Sequence, residues 1–242
     1  MLLPPLYPII DFSFFAARPD PVAAIARYAE ELIAAGVTLL QFRDKSAPSQ
    51  PRRFLSCARE LRRVTADRAS LIVNDRLDLC LASGADGVHL GQDDLSPEAA
   101  RKIFNAVESH PLSQSLGETQ LSRQTMGHPE EKRRLLIGHS THNLEQVGEA
   151  EGLPIDYVAI GPVFATQSKA RPDPVIGVEG VRSARQVTTK PLVAIGGITR
   201  RNCREVWEAG ADSVAVISDL FESPGKAVAD FLRILRNGSV KN

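Results

Sequence analysis

Short apolar runs alternate along this chain with longer segments whose apolar residues recur at helical spacing. Residues 6–10 form the first run and end at Asp11. Val22, Ile25, Ala26, Ala29, Leu32 and Ile33 then mark a helical face that Gly36 closes. Residues 37–42 predict a second strand, with Arg43-Asp44-Lys45 directly after it, and Phe54, Cys57, Ala58 and Leu61 a second helix with a basic outer face. Leu71-Ile72-Val73 and Gly87-Val88-His89-Leu90 predict strands three and four. The segment between them carries Leu77, Leu79, Cys80 and Leu81 and is long enough for one helix. Ser96 caps, and Pro97 opens, a helix over residues 97–104.

The pattern then lapses. From residue 105 to 134 only 6 of 30 residues are apolar, which predicts a helix end and then a solvated insertion without a core of its own. Order resumes at Leu135-Leu136-Ile137, followed by Gly138-His139-Ser140 as a loop and a helix over 144–150. Strands are predicted at 157–160, 192–195 and 213–217. Helices are predicted at 181–187, around Val206 and Trp207 up to Gly210, and along Ala227, Phe231, Ile234 and Leu235. Eight strands alternating with eight helices predict a closed parallel (β/α) barrel, the TIM-barrel fold; an open doubly wound sheet rarely repeats so often. The 242 residues suit one such domain spanning 1–242 with the polar insertion at about 105–134. A chain of this length buries about 70–75% of its unfolded surface, enough for one large core.

In a barrel of this kind the chemistry sits on the loops after the strands. Strands three and four belong to a β-α-β unit, so their C-terminal ends share one rim. Asp75 follows the first, Asp93 and Asp94 the second. Carboxylates brought together repel unless something positive lies between them, and a hard cation such as Mg²⁺ is the natural partner. Scattered acids on a solvated loop are the alternative reading. The other rim positions are Gln41, Arg43, Lys45, Asn74, Ser140, Thr166, Ser168, Lys169, Gly196, Gly197, Ile217 and Ser218.

Arg43, Lys45 and Lys169 bring three cations to the carboxylates, which suits a polyanion bridged through the metal. Gly196-Gly197 and Ser218, after strands seven and eight, stand where barrels commonly bind a phosphomonoester. Each glycine taken singly is explained by a tight turn; the combination points to two phosphorylated substrates. His89, alternating with Val88 and Leu90, reads as a packed structural residue. His139 and His142 flank Ser140 and shape the rim, while His110 and His128 fall in the polar segment. No spacing suggests a nucleophilic triad.

Charge narrows the partners. Lys+Arg and Asp+Glu both number 29, so no net field draws the chain to nucleic acid or an anionic membrane. No apolar run reaches membrane-spanning length, and the start, Met1-Leu2-Leu3-Pro4-Pro5, lacks the features of a leader. Cys57, Cys80 and Cys203 are odd in number and set in apolar helical contexts, which predicts buried reduced thiols in a cytoplasmic protein. A homo-oligomer is left open.

Taken together, Q-F-R-D-K at 41–45, N-D at 74–75, G-V-H-L-G-Q-D-D at 87–94, G-H-S at 138–140, G-P-V-F-A-T-Q-S-K at 161–169, A-I-G-G-I at 194–198 and V-I-S at 216–218 resemble the thiamine phosphate synthase family. The motifs run in the family's order and cover nearly the whole barrel. The resemblance implies that a hydroxymethylpyrimidine diphosphate and a thiazole phosphate are joined with release of pyrophosphate. It implies that Asp75 and Asp94 hold Mg²⁺. Gln41, Arg43, Lys45, Asn74, Ser140 and Lys169 would bind the pyrimidine diphosphate, with Arg43, Lys45, Ser140 and Lys169 serving catalysis. Thr166, Ser168, Gly197, Ile217 and Ser218 would bind the thiazole phosphate. Segment 105–134 is longer than the resemblance predicts, and His139 stands where a small or aliphatic residue is expected. A thiazole tautomerase-like relative shares the barrel but lacks the metal pattern, which is intact here. A non-catalytic phosphate-binding barrel would need no pair of carboxylates beside three cations.

Overall fold

The computed structural model describes residues 2–45, 50–109, 134–166 and 173–236. Eight parallel strands close into a barrel in chain order: β1 (Leu6–Asp11), β2 (Leu39–Arg43), β3 (Ser70–Asn74), β4 (Gly87–Leu90), β5 (Leu136–Thr141), β6 (Tyr157–Ile160), β7 (Leu192–Ile195) and β8 (Ser213–Val216). Pairing of β1 with β8, from Leu6 opposite Val214 to Pro8 opposite Val216, completes the ring. The described helices are α1 (Pro21–Ala34), α2 (Pro51–Thr65), α3 (Leu77–Ser83), α4 (Pro97–Glu108), α5 (Leu144–Glu151), α6 (Gly177–Val187), α7 (Cys203–Glu208) and α8 (Pro224–Arg236). Short 3₁₀ turns follow β1 (Phe12–Phe14) and β8 (Ser218–Leu220). The TIM barrel expected from the alternating pattern is the fold.

Strand alternation divides the apolar residues into two cores. Tyr7, Ile9, Leu39, Ile72, Tyr157, Ala159, Val193 and Ala215 fill the barrel interior. Leu6, Ile10, Leu40, Phe42, Leu71, Val73, Val88, Ile137, Val158 and their kind face outward, where α1 to α8 cover them. Helix starts are set by local chemistry: the side chains of Asp20, Ser96 and Asn143 accept from Ala23, Ala99 and Gln146 N–H. Cys57, Cys80 and Cys203 are free and buried, as expected.

The rim opposite the site is held by a repeated device. Asp86, Asp156 and Asp212, each just before an even-numbered strand, accept from the backbone N–H of Leu71, Ile137 and Leu192 on the preceding strand at 2.8–2.9 Å. Each also donates its own N–H to the carbonyl of that same residue. An arginine from a neighbouring element pairs with each carboxylate: Arg62, Arg101 and Arg185.

Some boundaries differ from the sequence reading. β2 begins at Leu39 rather than residue 37, and β5 runs on to Thr141, taking in His139 and Ser140, which were expected in a loop. The added length comes from pairing with β6, where Ser140 lies opposite Ala159 and Thr141 opposite Ile160. α4 continues past Phe104 to Glu108, so the start of the expected insertion is helical. Residues 110–133 of that segment, with His110 and His128, lie outside the described residues, as do Ser168 and Lys169.

Candidate active site

Gln41 on β2 and Ser140 on β5 are joined through the barrel interior by buried hydrogen bonds. Gln41 Nε2 donates to Tyr7 Oη at 3.0 Å, Tyr7 and Tyr157 hydroxyls meet at 2.8 Å, Tyr157 Oη lies 3.1 Å from His89 Nδ1, and His89 Nε2 lies 2.8 Å from Ser140 Oγ. The Tyr157 ring fits because residue 138 is glycine: a Cβ there would lie 2.1 Å from Tyr157 Cζ. Burial pushes the His89 pKa down to about 4, so its ring is neutral, and it drives both tyrosine hydroxyls above their ordinary values.

Charge gathers above this floor, at the C-terminal ends of β1 to β4. Asn74 is the last residue of β3, and Asp75 follows in the left-handed region at φ +62°, with its N–H bonded to His89 O at 2.8 Å. Lys45 Nζ lies 3.0 Å from Asp75 Oδ2. The Asp94 carboxylate caps its own turn, accepting from Gly91 N–H at 2.7 Å. Burial first, and then the neighbouring charge of Asp75, raise the Asp94 pKa above the usual carboxylate range. Asp75 after β3 and Asp94 after β4 thus stand at one rim, with Lys45 paired to the first. Arg43 donates to Asp11 at the end of β1, and Asp44 between the two cations is buried and paired with Arg53 of α2 at 2.9 Å. In Arg43-Asp44-Lys45 the middle residue thus anchors the loop and the outer two face the rim.

Across the barrel mouth, Gly197 (φ +64°) follows β7, and a Cβ there would lie 2.6 Å from Ala165 O on the loop after β6. That loop leads to Thr166, so glycine is required for the two loops to touch. Asn202 Nδ2 donates to Gly197 O at 3.1 Å while its Oδ1 accepts from Thr199 N at 2.7 Å. Ile217 packs against the interior core, and Ser218 opens the 3₁₀ turn. Asp219 in that turn accepts from Arg200 N at 2.8 Å and Nε at 3.0 Å, tying the β7 and β8 loops together. Loops after the seventh and eighth strands are where barrels of this kind frequently bind phosphate.

The family model described as thiamine monophosphate synthase matches residues 7–108 and 116–220. The chain belongs to that family. A thiamine-phosphate synthase of Koribacter versatilis is 47% identical over 235 residues, covering 97% of each chain. One of Hydrogenobaculum sp. is 34% identical over 234 residues, covering 96% of this chain and 93% of the relative. Among solved structures, thiamine phosphate pyrophosphorylase from Pyrococcus furiosus superposes with a TM-score of 0.73 at 31% identity, covering 96% of each chain. As a thiamine monophosphate synthase the chain is an enzyme, a transferase.

The expected site residues that are described lie along this rim. Gln41, Arg43, Lys45, Asn74, Asp75, Asp94 and Ser140 lie on one side, and Thr166, Gly197, Ile217 and Ser218 on the β6–β8 side. His89 is buried as expected but is more than packing, since it touches Ser140. His139 faces away from the barrel axis, and its Nε2 accepts from Gln92 of the G-Q-D-D loop at 3.0 Å. Gln92 also donates to Ser140 O at 2.5 Å, so the unexpected histidine braces the β4 loop against β5. His142 Nδ1 lies 2.8 Å from Gly161 O, a loop contact likewise. Sequence reading missed Asp11, Tyr7, Tyr157, Asn202 and Asp219. Only Asp11 left a signal, a carboxylate directly after a strand; tyrosines in strands are ordinary.

Proposed function

We propose that this rim joins a hydroxymethylpyrimidine diphosphate to a thiazole phosphate, with Asp75 and Asp94 holding Mg²⁺. The observation that supports the metal assignment is the placement of Asp75 after β3 and Asp94 after β4 at one rim, beside Lys45. A pair of hard oxygen donors fits Mg²⁺, which takes one or two carboxylates and fills its shell with water and phosphate oxygens. Among the described residues no cluster of three or more His, Cys, Asp or Glu competes as a metal site. When bound, the ion neutralises charge building up on the departing diphosphate.

The chain's own groups supply position and charge. Arg43, Lys45 and Lys169 supply positive charge for the diphosphate, Arg43 with its guanidinium steadied by Asp11. Asn74, Gln41 and Ser140 hold the pyrimidine. Thr166, Ser168, Gly197, Ile217 and Ser218 hold the thiazole phosphate. The bond from the pyrimidine methylene to diphosphate oxygen breaks, and pyrophosphate leaves with the electron pair. The electron-rich ring shares the positive charge until the thiazole nitrogen forms the new C–N bond with its lone pair. No protein nucleophile takes part, so the protein's task is to align two rings and stabilise a leaving anion.

The test is mass spectrometry of product from the two substrates, with Mg²⁺ and with excess EDTA. Thiamine phosphate is expected only with metal. Full turnover in EDTA would remove the role given to Asp75 and Asp94.

A further inference from the structure

Between Gln41 and Ser140 run four consecutive hydrogen bonds through three buried side chains that the reaction itself does not use: Tyr7, Tyr157 and His89. Each hydroxyl has one proton to give, and a neutral imidazole donates from one nitrogen and accepts at the other. Pairing every buried proton in such a chain sets a single direction. Gln41 Nε2 donates to Tyr7, so the Tyr7 proton goes to Tyr157, and the Tyr157 proton to His89 Nδ1. His89 then carries its proton on Nε2 and donates to Ser140 Oγ. At the ends, Gln41 is left with its Oε1 acceptor and Ser140 with its hydroxyl proton. An amide rotated by 180° would reverse every link, and His89 would carry its proton on Nδ1 instead.

We propose that Tyr7, Tyr157 and His89 are positioning residues that fix opposite hydrogen-bond polarity at the two ends, Gln41 accepting and Ser140 donating, to select an aminopyrimidine. This rests on the reading that Gln41 and Ser140 hold the pyrimidine. A 4-aminopyrimidine offers an exocyclic amine that donates and ring nitrogens that accept, so it satisfies both ends. A 4-oxo pyrimidine presents the reverse pattern along that edge and leaves a buried group unpaired, the most effective kind of rejection. The interior is shaped for this chain: Gly138 gives up its side chain to admit the Tyr157 ring, and the Tyr7 and Tyr157 rings meet edge-on at 5.9 Å. The His89 and Tyr157 rings stack with centroids 5.6 Å apart. Apolar residues would fill this space without the need for a continuous polar path.

Two measurements test it. Imidazole ¹⁵N spectra of histidine-labelled protein, resolvable with five histidines, should show a neutral His89 protonated on Nε2. An Nδ1-protonated or charged His89 would overturn the proposal. Separately, 4-amino and 4-oxo 2-methyl-5-(hydroxymethyl)pyrimidine monophosphates are compared as competitive inhibitors of the wild type, Tyr157→Phe and Tyr7→Phe. The monophosphates do not react, so ring electronics do not enter. Each Phe variant keeps the ring and breaks the chain at one link. The amino-over-oxo preference should fall about tenfold in both, with binding of the amino compound weakened, while the oxo compound binds as before or better. Unchanged preference in both variants would overturn the chain's role. If neither compound competes with the wild type, or if Gln41→Ala leaves both inhibition constants unaltered, the pyrimidine assignment of the site has failed instead.

Discussion

Asp11 and Arg43 stand opposite one another in the β1–β2 register, and the Arg43 guanidinium donates to the Asp11 carboxylate. Their side chains are only 8% and 11% exposed. The Asp11 carboxylate also accepts from Ser13 N–H at 3.0 Å and Ser13 Oγ–H at 2.6 Å, so it cannot swing away to follow a mobile arginine. Arg43 is thereby aimed before substrate arrives. Removing one partner of a buried pair strands the other charge, so Asp11→Ala should cost about 3 kcal/mol of stability. Urea denaturation reads this directly. The KM for the pyrimidine diphosphate should rise about tenfold, as expected when a charged partner is no longer held in place. An unaltered KM would show that Arg43 holds its pose without Asp11.

How much of this was legible in the sequence depends on what each residue does. The barrel could be read because strands buried on both faces and helices buried on one have different periods, and eight repeats leave little ambiguity. Asp75, Asp94, Arg43 and Lys45 could be read as rim residues because charges of both signs fall at the ends of neighbouring predicted strands. Ser140 was identified as a site residue but put in a loop, because β5 extends through Gly138 and His139, neither of which favours a strand by itself; pairing with β6 decides it. The interior chain was illegible. Tyr7, His89 and Tyr157 lie far apart in sequence and meet only because the barrel closes, and each alone is an ordinary strand residue.

The raised proton affinity of Asp94 sets a direction for metal binding with pH. Protonation of Asp94 competes with Mg²⁺, and a carboxyl raised above its ordinary range begins to take its proton at a higher pH than a free aspartate does. The Mg²⁺ concentration needed for half-maximal activity should therefore rise as pH falls toward the acid range. Asp94→Asn should abolish that dependence and lower turnover by roughly 10²–10³, the usual loss when one preorganised electrostatic partner is removed. Mg²⁺ titrations of turnover at several pH values check both. A half-saturation concentration that stays flat with pH in the wild type would exclude Asp94 as a ligand.

His89 predicts an acid weakness. Its ring faces Tyr157 and Ser140, with Asp75, Lys45 and His139 close enough to act through charge, and burial dominates in holding the pKa at about 4 against 6.5 for a free histidine. Below pH 6.5 the unfolded chain binds a proton that the folded protein refuses. Stability is thus fully present above about 6.5 and is lost as pH falls toward 4. The gap between those values sets a ceiling of about 3 kcal/mol on the loss from this group. Unfolding free energies measured at pH 7 and pH 4.5 should converge for His89→Asn relative to the wild type. Equal losses in the two proteins would mean that His89 is protonated in the fold.

Contacts among the described residues hold the two edges that flank residues 110–133. Arg101 on α4 donates to Leu135 O at 2.5 Å and Pro154 O at 3.1 Å, and it pairs with Asp156 at 3.1 Å. Arg134 pairs with the same carboxylate, which itself accepts from Ile137 N–H on β5 at 2.8 Å. The family match likewise pauses at residue 108 and resumes at 116. All of these contacts lie at the rim opposite Asp75, Asp94 and Ser140, since Asp156 precedes β6 whereas the site follows the strands. Lengthening or shortening a connection at that rim changes its closure entropy only slowly with length, by about 0.6 kcal/mol per doubling. Replacing residues 110–133 with a short Gly/Ser linker should therefore leave kcat and both KM values within about twofold and shift the unfolding free energy by about 1 kcal/mol or less. Loss of turnover in a linker variant that still folds would show that the segment reaches the active site or a partner required for activity.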